Sequence, residues 1–250
     1  MKIRALLCLV LFWGLATGGG ARASTPEDAT SDLLTAIASD KPTAARAALE
    51  AGADINADIG QGRTPLISAV MFSRPAIVKM LLERGADPNH TARDATIGNA
   101  VTAAFFAMNG TQLIGLGETT PASHATALEV LNLVAHAKGA HLNVFSRRAT
   151  TEMSPLMIAA DAGAADAVQI LLDAGADPNL MNGGRYTALD YAVDRKPGWS
   201  AAPASDRVAV VRALLAKGAR KDRKPKDGVT PAERAKRAGN AEISALLAAR

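Results

Sequence analysis

The residues that most often carry chemistry are few in this chain and do not form a recognisable set. None of its four histidines (His90, His124, His136 and His141) lies in a His-x-x-x-His or Glu-x-x-x-His metal-binding pattern. No serine lies in a Gly-x-Ser-x-Gly motif. We therefore predict that the protein is not an enzyme and that it holds no metal ion and no cofactor. The alternative from another class is a hydrolase or metal-binding site in the insertions, for which His124 and His136, on either side of Glu129, are the candidates.

The N-terminus has the layout of a secretory signal peptide. Lys2 and Arg4 precede a nearly uniform apolar stretch at residues 5–17, and Ala21-Arg22-Ala23 forms a small-residue cleavage signal. The apolar stretch has 13 residues, whereas a helix that crosses a membrane needs about 20. We expect cleavage before Ser24, a periplasmic or secreted protein, and a mature chain without cysteine.

The distribution of charge is more informative than the high isoelectric point. Without residues 1–23 the net charge falls from +4 to +1, because that segment holds three cations and no acids. Residues 207–250 hold 12 Lys/Arg and four Asp/Glu, so residues 24–206 are acidic. We predict no nucleic-acid partner. The basic tail is interpreted as a solvated end of the fold, and contact with an anionic membrane surface is the alternative.

One nine-residue segment recurs along the chain. Residues 171–179 (LLDAGADPN) are nearly repeated at 81–89 (LLERGADPN), and looser copies lie at 49–56, 138–143 and 214–219. Each copy has the glycine that typically ends a helix. Thr-Pro, Ser-Pro or Thr-Ala dipeptides at Thr64, Ser154, Thr187 and Thr230 have the composition of helix starts. Because Gly52 and Gly85 are 33 residues apart, as are Ser154 and Thr187, the chain is predicted to be a helical repeat array.

This pattern resembles the ankyrin repeat. The resemblance implies an all-α solenoid of about six helix-turn-helix repeats with β-turn fingers, at approximately residues 28–60, 61–93, 94–147, 148–182, 183–225 and 226–250. The family's histidine after Thr-Pro-Leu is replaced here by Ile67, Met157, Asp190 and Glu233. We therefore expect apolar packing to hold neighbouring repeats together to a greater extent than is average for the family.

Departures from the 33-residue interval predict two insertions between the helices of a repeat. The extra residues lie at 109–123 and 195–203, where glycine, proline and threonine are frequent, and a smaller excess lies in the finger at 143–153. By this register His136 is close to the position of Leu82 and Leu172. That placement predicts a partly buried structural histidine or a register that is wrong by one residue.

The resemblance also implies which side chains contact a partner. Positions at the finger tips and at the ends of the first helices correspond to Gln61, Arg63, Met71, Phe72, Arg93, Arg147, Arg148, Asp161, Arg185 and Tyr186, with His90 and Lys226 beside them. Trp199, in the insertion at 195–203, is a further candidate contact residue. Met71 and Phe72 are either an exposed hot spot or a pair packed under the loop at 109–123. Trp199 is either an interface residue or a plug on its own helices.

We predict a monomer that binds another protein non-covalently through the concave face of the array. One version is an accessory protein of the cell envelope. The alternative is an immunity or inhibitor protein that blocks an effector enzyme in the periplasm. Repeat frames carry many different contact residues, so the identity of the partner does not follow from the fold.

Overall fold

Helices in consecutive pairs make up most of the computed structural model, which describes residues 25–93, 98–108, 123–148, 151–193 and 204–248. In these residues the first helices of the six pairs are α1 (Pro26–Ala38), α3 (Pro65–Met71), α5 (Ala100–Met108), α7 (Pro155–Ala162), α9 (Ala188–Val193) and α11 (Pro231–Arg237). The second helices are α2 (Pro42–Glu50), α4 (Pro75–Glu83), α6 (His124–Ala135), α8 (Ala165–Asp173), α10 (Ala204–Ala216) and α12 (Ala241–Ala248). The prediction of an all-α array of helix pairs is confirmed.

The helices form two layers, one of first helices and one of second helices. First helices contact first helices from α1 to α11, and second helices contact second helices from α2 to α12. All seven residues of α3 are buried, since α1, α4 and α5 all contact it. A helix enclosed in this way is apolar on every side, as the sequence Pro-Leu-Ile-Ser-Ala-Val-Met shows.

Side-chain caps fix the start of the first helices. The hydroxyl oxygens of Thr64 and Ser154 each accept a hydrogen bond from the backbone N–H three residues later, at 3.3 Å. Thr230 does the same at 3.2 Å. A proline follows each of these caps, at a position where its missing N–H has no helical partner to lose. The predicted helix starts are therefore confirmed.

A left-handed glycine follows most of the second helices, and α6 departs from that register. At Gly175, with φ +97°, the chain turns so that the N–H of Ala176 donates to the oxygen of Leu171 at 2.9 Å. In α6 the buried residues end at Ala135, and His136 is the exposed C-cap. The prediction of a partly buried His136 is wrong, because one extra residue precedes Gly139 and moves His136 to the exposed position.

The loops that join the pairs are here called fingers 1 to 5, at residues 51–64, 84–99, 136–154, 174–187 and 217–230. In finger 3 the chain forms a short antiparallel hairpin of β1 (Ser146–Arg148) and β2 (Thr151–Met153), in which Arg147 is opposite Glu152. This hairpin accounts for the excess predicted at 143–153. The two predicted insertions lie between α5 and α6 and between α9 and α10, and residues 109–122 and 194–203 within them are outside the described residues.

An asparagine at the base of each of the first four fingers binds the backbone of the next finger. We call this series the asparagine ladder. Its side-chain oxygens accept backbone N–H groups at 2.6–2.9 Å: Asn56 from Asp87, Asn89 from His141, Asn143 from Asp177, and Asn179 from Arg220. The side-chain amides of Asn89 and Asn179 also donate to the oxygens of Gly139 and Gly218, at 2.8 and 2.9 Å.

The ladder adds polar contacts between neighbouring repeats, and the expectation of more apolar packing than the family average stays a prediction. Four consecutive joints each contain at least one side-chain-to-backbone hydrogen bond between units. In the first unit, where the described chain has no preceding finger, the hydroxyl oxygen of Thr30 accepts from the N–H of Asp54 at 3.0 Å. The family's histidine is replaced, but a polar connection between repeats is present.

Removal of one ladder asparagine should destabilise the array. We expect Asn179→Ala to lower the free energy of unfolding by about 1–3 kcal/mol, because two hydrogen bonds of about 1 kcal/mol each are lost across one joint. Urea denaturation of the purified protein measures this. The matched control is Asn132→Ala, at an exposed position of α6. Equal effects of the two substitutions would show that the ladder does not stabilise the joint.

Candidate functional site

Finger 1 is braced internally, and its tip is joined to finger 2. One carboxylate oxygen of Asp58 accepts the N–H groups of Gly60 and Gly62, both at 2.9 Å. These two bonds, and then the nearby Arg93, lower the pKa of Asp58 despite slight desolvation. Gln61 lies between the glycines with φ +58°, and its backbone oxygen accepts the N–H of Arg93 at 2.7 Å. The side chain of Gln61 is therefore exposed, while its backbone joins finger 1 to finger 2.

The two predicted arginines of these fingers differ in exposure. The side chain of Arg93 is 80% exposed and makes one ion pair, at 3.4 Å, with Asp58. Arg63 is half-buried, and its backbone closes the turn with Ile59 and Gly60. Arg93 is thus available to an outside partner to a greater extent than Arg63. His90, beside them, is half-buried.

Met71 and Phe72 are not an exposed aromatic hot spot. Met71 is 9% exposed and belongs to the core, and Phe72, the C-cap of α3, is half-buried against that core. Three helices, α1, α4 and α5, contact α3 and enclose it. The expectation of an exposed pair is wrong. The alternative cover, the loop at 109–123, lies almost wholly outside the described residues.

Finger 3 presents a residue that the sequence reasoning missed. Phe145 is 42% exposed, and in the described part of the chain it is the large hydrophobic side chain that stands out to solvent. The next residue, Ser146, is buried, so the chain alternates here as a half-buried strand does. The side chains of Arg147 and Arg148 lie outside the described residues, and their role in binding stays a prediction.

Fingers 4 and 5 are joined by a cluster of polar and aromatic side chains. The hydroxyl of Tyr186 donates to Asp227 at 3.1 Å, and the guanidinium of Arg234 is 5.1 Å from the centre of the Tyr186 ring. Arg234 also pairs with Asp227 and with Asp190, the latter at 3.8 Å. This cluster joins α9, finger 5 and α11. Tyr186 therefore contributes to the contacts that hold the repeats together, here called the frame, as well as to the surface.

Burial changes the titration of this cluster. Desolvation of Asp190, which is 2% exposed, raises its pKa even though Thr187 donates two hydrogen bonds of 2.9 Å to it. Desolvation also raises the pKa of Tyr191 to about 12. For Asp227, desolvation works to raise the pKa, but hydrogen bonds from Val229, Arg234 and Tyr186 outweigh it, and its pKa is lowered.

The remaining predicted contact residues have different surroundings. Arg185 is exposed, adopts φ +62°, and its side chain has no hydrogen bond or ion pair within the described residues. Asp161 is half-buried, and its backbone oxygen accepts from the buried Arg207 at 2.9 Å. Trp199 lies outside the described residues. Lys226 is exposed, and its N–H donates to the oxygen of Gly184 at 3.1 Å.

Comparisons with known proteins assign this architecture. Models of ankyrin repeats match residues 11–92 and residues 136–192. The crystal structure of EF0377, an ankyrin repeat protein, is similar with a TM-score of 0.68 and 25% identity, over 88% of this chain and 97% of that one. This chain is built from ankyrin repeats. An ankyrin repeat domain from Acinetobacter baumannii AYE (ABAYE2397) gives a TM-score of 0.66 and 26% identity, over 86% of this chain and 95% of that domain.

Among curated proteins no sequence matches the chain. The family match at 11–92 begins inside the segment predicted to be a signal peptide, which is outside the described residues, so cleavage stays a prediction. Ankyrin repeats are protein–protein interaction scaffolds, and the concave side of such an array is its usual contact surface. The coarse function, binding of another protein, follows from the fold.

The two histidines of the alternative metal site are far apart in the described structure. His124 begins α6 and His136 follows its last residue, so about 18 Å of helix separates them. His124 instead lies 3.7 Å from Asp166 on α8. Within the described residues no group of three histidine, cysteine or acidic side chains is placed to hold a metal ion. These two histidines therefore do not share one ion, and a site within the insertions, which lie outside the described residues, stays a prediction.

Two further features of the surface bear on partners. A groove of about 510 Å³ lies between α1 and finger 1, and its lining includes Glu27, Asp54 and Asp58. The N-terminal end of the described array is therefore acidic, unlike finger 5, which holds six Lys/Arg and two Asp/Glu. None of the helices in the described ranges is both long and apolar enough for a membrane span.

The cluster between fingers 4 and 5 should make the last repeat sensitive to acid. Ionised Asp227 has a lowered pKa, so its stabilisation is present above its unfolded value near 3.8 and is lost as the pH falls through the lowered value. We expect Asp227→Asn to lower Tm at pH 7, and the difference from wild type to shrink towards pH 3. The control, Asp222→Asn, removes an exposed pair within finger 5 and should change Tm little. A difference that stays constant between pH 7 and pH 3 would contradict this assignment.

Proposed function

We propose that this ankyrin-repeat protein is exported and binds another protein non-covalently through the tips of its fingers. The observation that carries the proposal is that different residues of each finger join the repeats and face the solvent. Residues at the finger bases, including the asparagine ladder, hold one unit to the next. Several side chains at the tips, among them Phe145 and Arg185, are exposed and take no part in that frame.

Exposure of this kind favours recognition over stability. An exposed phenylalanine and an exposed arginine contribute little to a repeat frame, whereas aromatic and arginine side chains are enriched among the residues that dominate protein interfaces. The fingers also hold these side chains in a fixed order, because the backbones of neighbouring fingers are bonded to each other, as Arg93 is to Gln61 and Lys226 to Gly184. A preformed row of contacts lowers the ordering cost of binding.

Export is supported by the composition of residues 1–23, with two cations before an apolar stretch and small residues at Ala21 and Ala23. We expect the protein recovered from the periplasm or medium to begin at Ser24. Intact-mass measurement with N-terminal sequencing checks this. Substitution of Ala21 and Ala23 by bulky residues should leave the leader attached, and a protein of full length in the cytoplasm of wild-type cells would contradict export.

A photo-crosslinking amino acid placed at Arg185 should capture the partner in intact cells. The same label at Arg46, an exposed cation on α2 in the layer of second helices, is the matched control. We expect one discrete crosslinked protein from the Arg185 position and none in common with the Arg46 position. Binding through the finger tips would be contradicted if neither label gave a crosslinked protein, or if both labels gave the same crosslinked proteins.

A further inference from the structure

Arg185 adopts a backbone conformation that the equivalent residues of fingers 1 and 5 leave to glycine. Two residues before the threonine that starts the next helix, finger 1 has Gly62 with φ +71° and finger 5 has Gly228 with φ +74°. Arg185 holds this place in finger 4 with φ +62°. A non-glycine residue is disfavoured there, and its exposed side chain gains no hydrogen bond or ion pair within the described residues. The frame alone therefore gives no reason for an arginine at this position.

The neighbouring fingers carry the same sign of charge. Fingers 3 to 5 together contain ten Lys/Arg and four Asp/Glu, and the excess of cations lies in fingers 3 and 5, on either side of Arg185. Two of those acids, Asp222 and Asp227, are already paired with arginines of this chain. Excess cations on adjacent tips attract a surface of opposite charge.

An exposed aromatic side chain lies within this row of cations. Phe145 belongs to finger 3, between Arg93 in finger 2 and Arg185 in finger 4. The side chain of Phe145 is 42% exposed and can contact an apolar group of a partner, whereas the cations contact acidic groups. The four residues Arg93, Phe145, Arg185 and Lys226 thus form a series with one member on each of four consecutive fingers, here called the tip row.

We propose that the tip row binds an extended acidic segment of another protein, with an apolar side chain of that segment against Phe145. This rests on the proposed function and adds the chemistry of the partner. Stacked helices lie about 10 Å apart, so consecutive tips are separated by about the same distance. An extended chain advances about 3.3 Å per residue, so every third residue of the segment meets a finger. The matching pattern is acidic, apolar, acidic and acidic, at intervals of three.

Synthetic peptides test this pattern directly. The probe is a ten-residue peptide with glutamate at its first, seventh and tenth positions, leucine at its fourth, and glycine or serine elsewhere, together with its reversed sequence. Fluorescence anisotropy with the purified protein should show saturable binding of one orientation that weakens as salt is added. Equal binding of a version with lysine in place of glutamate, or with serine in place of leucine, would overturn the proposal.

Variants of the protein separate the two kinds of contact. We expect Phe145→Ser to raise the peptide Kd at least about fivefold, as loss of an interface anchor does. Arg185→Ala should raise it about two- to fivefold, as loss of an exposed ion pair does, whereas Arg46→Ala on α2 should leave it unchanged. In urea denaturation, Arg185→Gly should be at least as stable as wild type, because it relieves the left-handed strain. A less stable Arg185→Gly would place Arg185 in the frame and overturn its role in binding.

Two outcomes distinguish failure of this inference from failure of the proposed function. A protein crosslinked at Arg185 in cells, together with no binding of either peptide, would leave the scaffold function standing and overturn the acidic segment. A single-stranded oligonucleotide that binds as tightly as the peptide, without an effect of Phe145→Ser, would identify a general polyanion surface and also overturn it.

Discussion

The bonds of the asparagine ladder are the interaction on which the rest of the array depends. Each finger base exposes backbone N–H and C=O groups that no helix satisfies, and such groups need partners when they lie between packed units. An asparagine amide meets both needs, since its oxygen accepts and its nitrogen donates. Asn179 does so with the N–H of Arg220 and the oxygen of Gly218. Aspartate has no donor and would leave that carbonyl unpaired.

The spacing of the ladder explains why it ends where it does. Asn56, Asn89, Asn143 and Asn179 each lie four residues after the glycine that follows a second helix. The same position after Gly218 is Asp222, which pairs with Arg220 of its own finger. No further finger follows finger 5 in the described residues, so nothing there requires the donor of an asparagine. Asp190, Asp227, Arg234 and Tyr186 instead connect the last two pairs.

Features governed by a few neighbouring residues could be read from the sequence. Helix starts at Thr64 and Ser154 and the helix stop at Gly175 depend on local hydrogen bonds, and the sequence predicts them correctly. Burial of Met71 depends on how α1, α4 and α5 enclose α3, and the register of His136 depends on how α6 packs against α8. Phe145 was missed because its exposure depends on how finger 3 packs in the folded array, which no local motif specifies.

The separation of frame and tips also gives the binding surface a direction. The groove beside finger 1 is lined by carboxylates, and Asp58 holds the Arg93 side chain nearest to it in an ion pair. In finger 5 the cations outnumber the acids, and both acids, Asp222 and Asp227, are paired with arginines of the protein. A segment with uneven negative charge is therefore repelled at one end of the array and attracted at the other. The uneven charge of the fingers sets the direction in which the bound segment lies, and the ladder sets the spacing between the contacts that the segment makes.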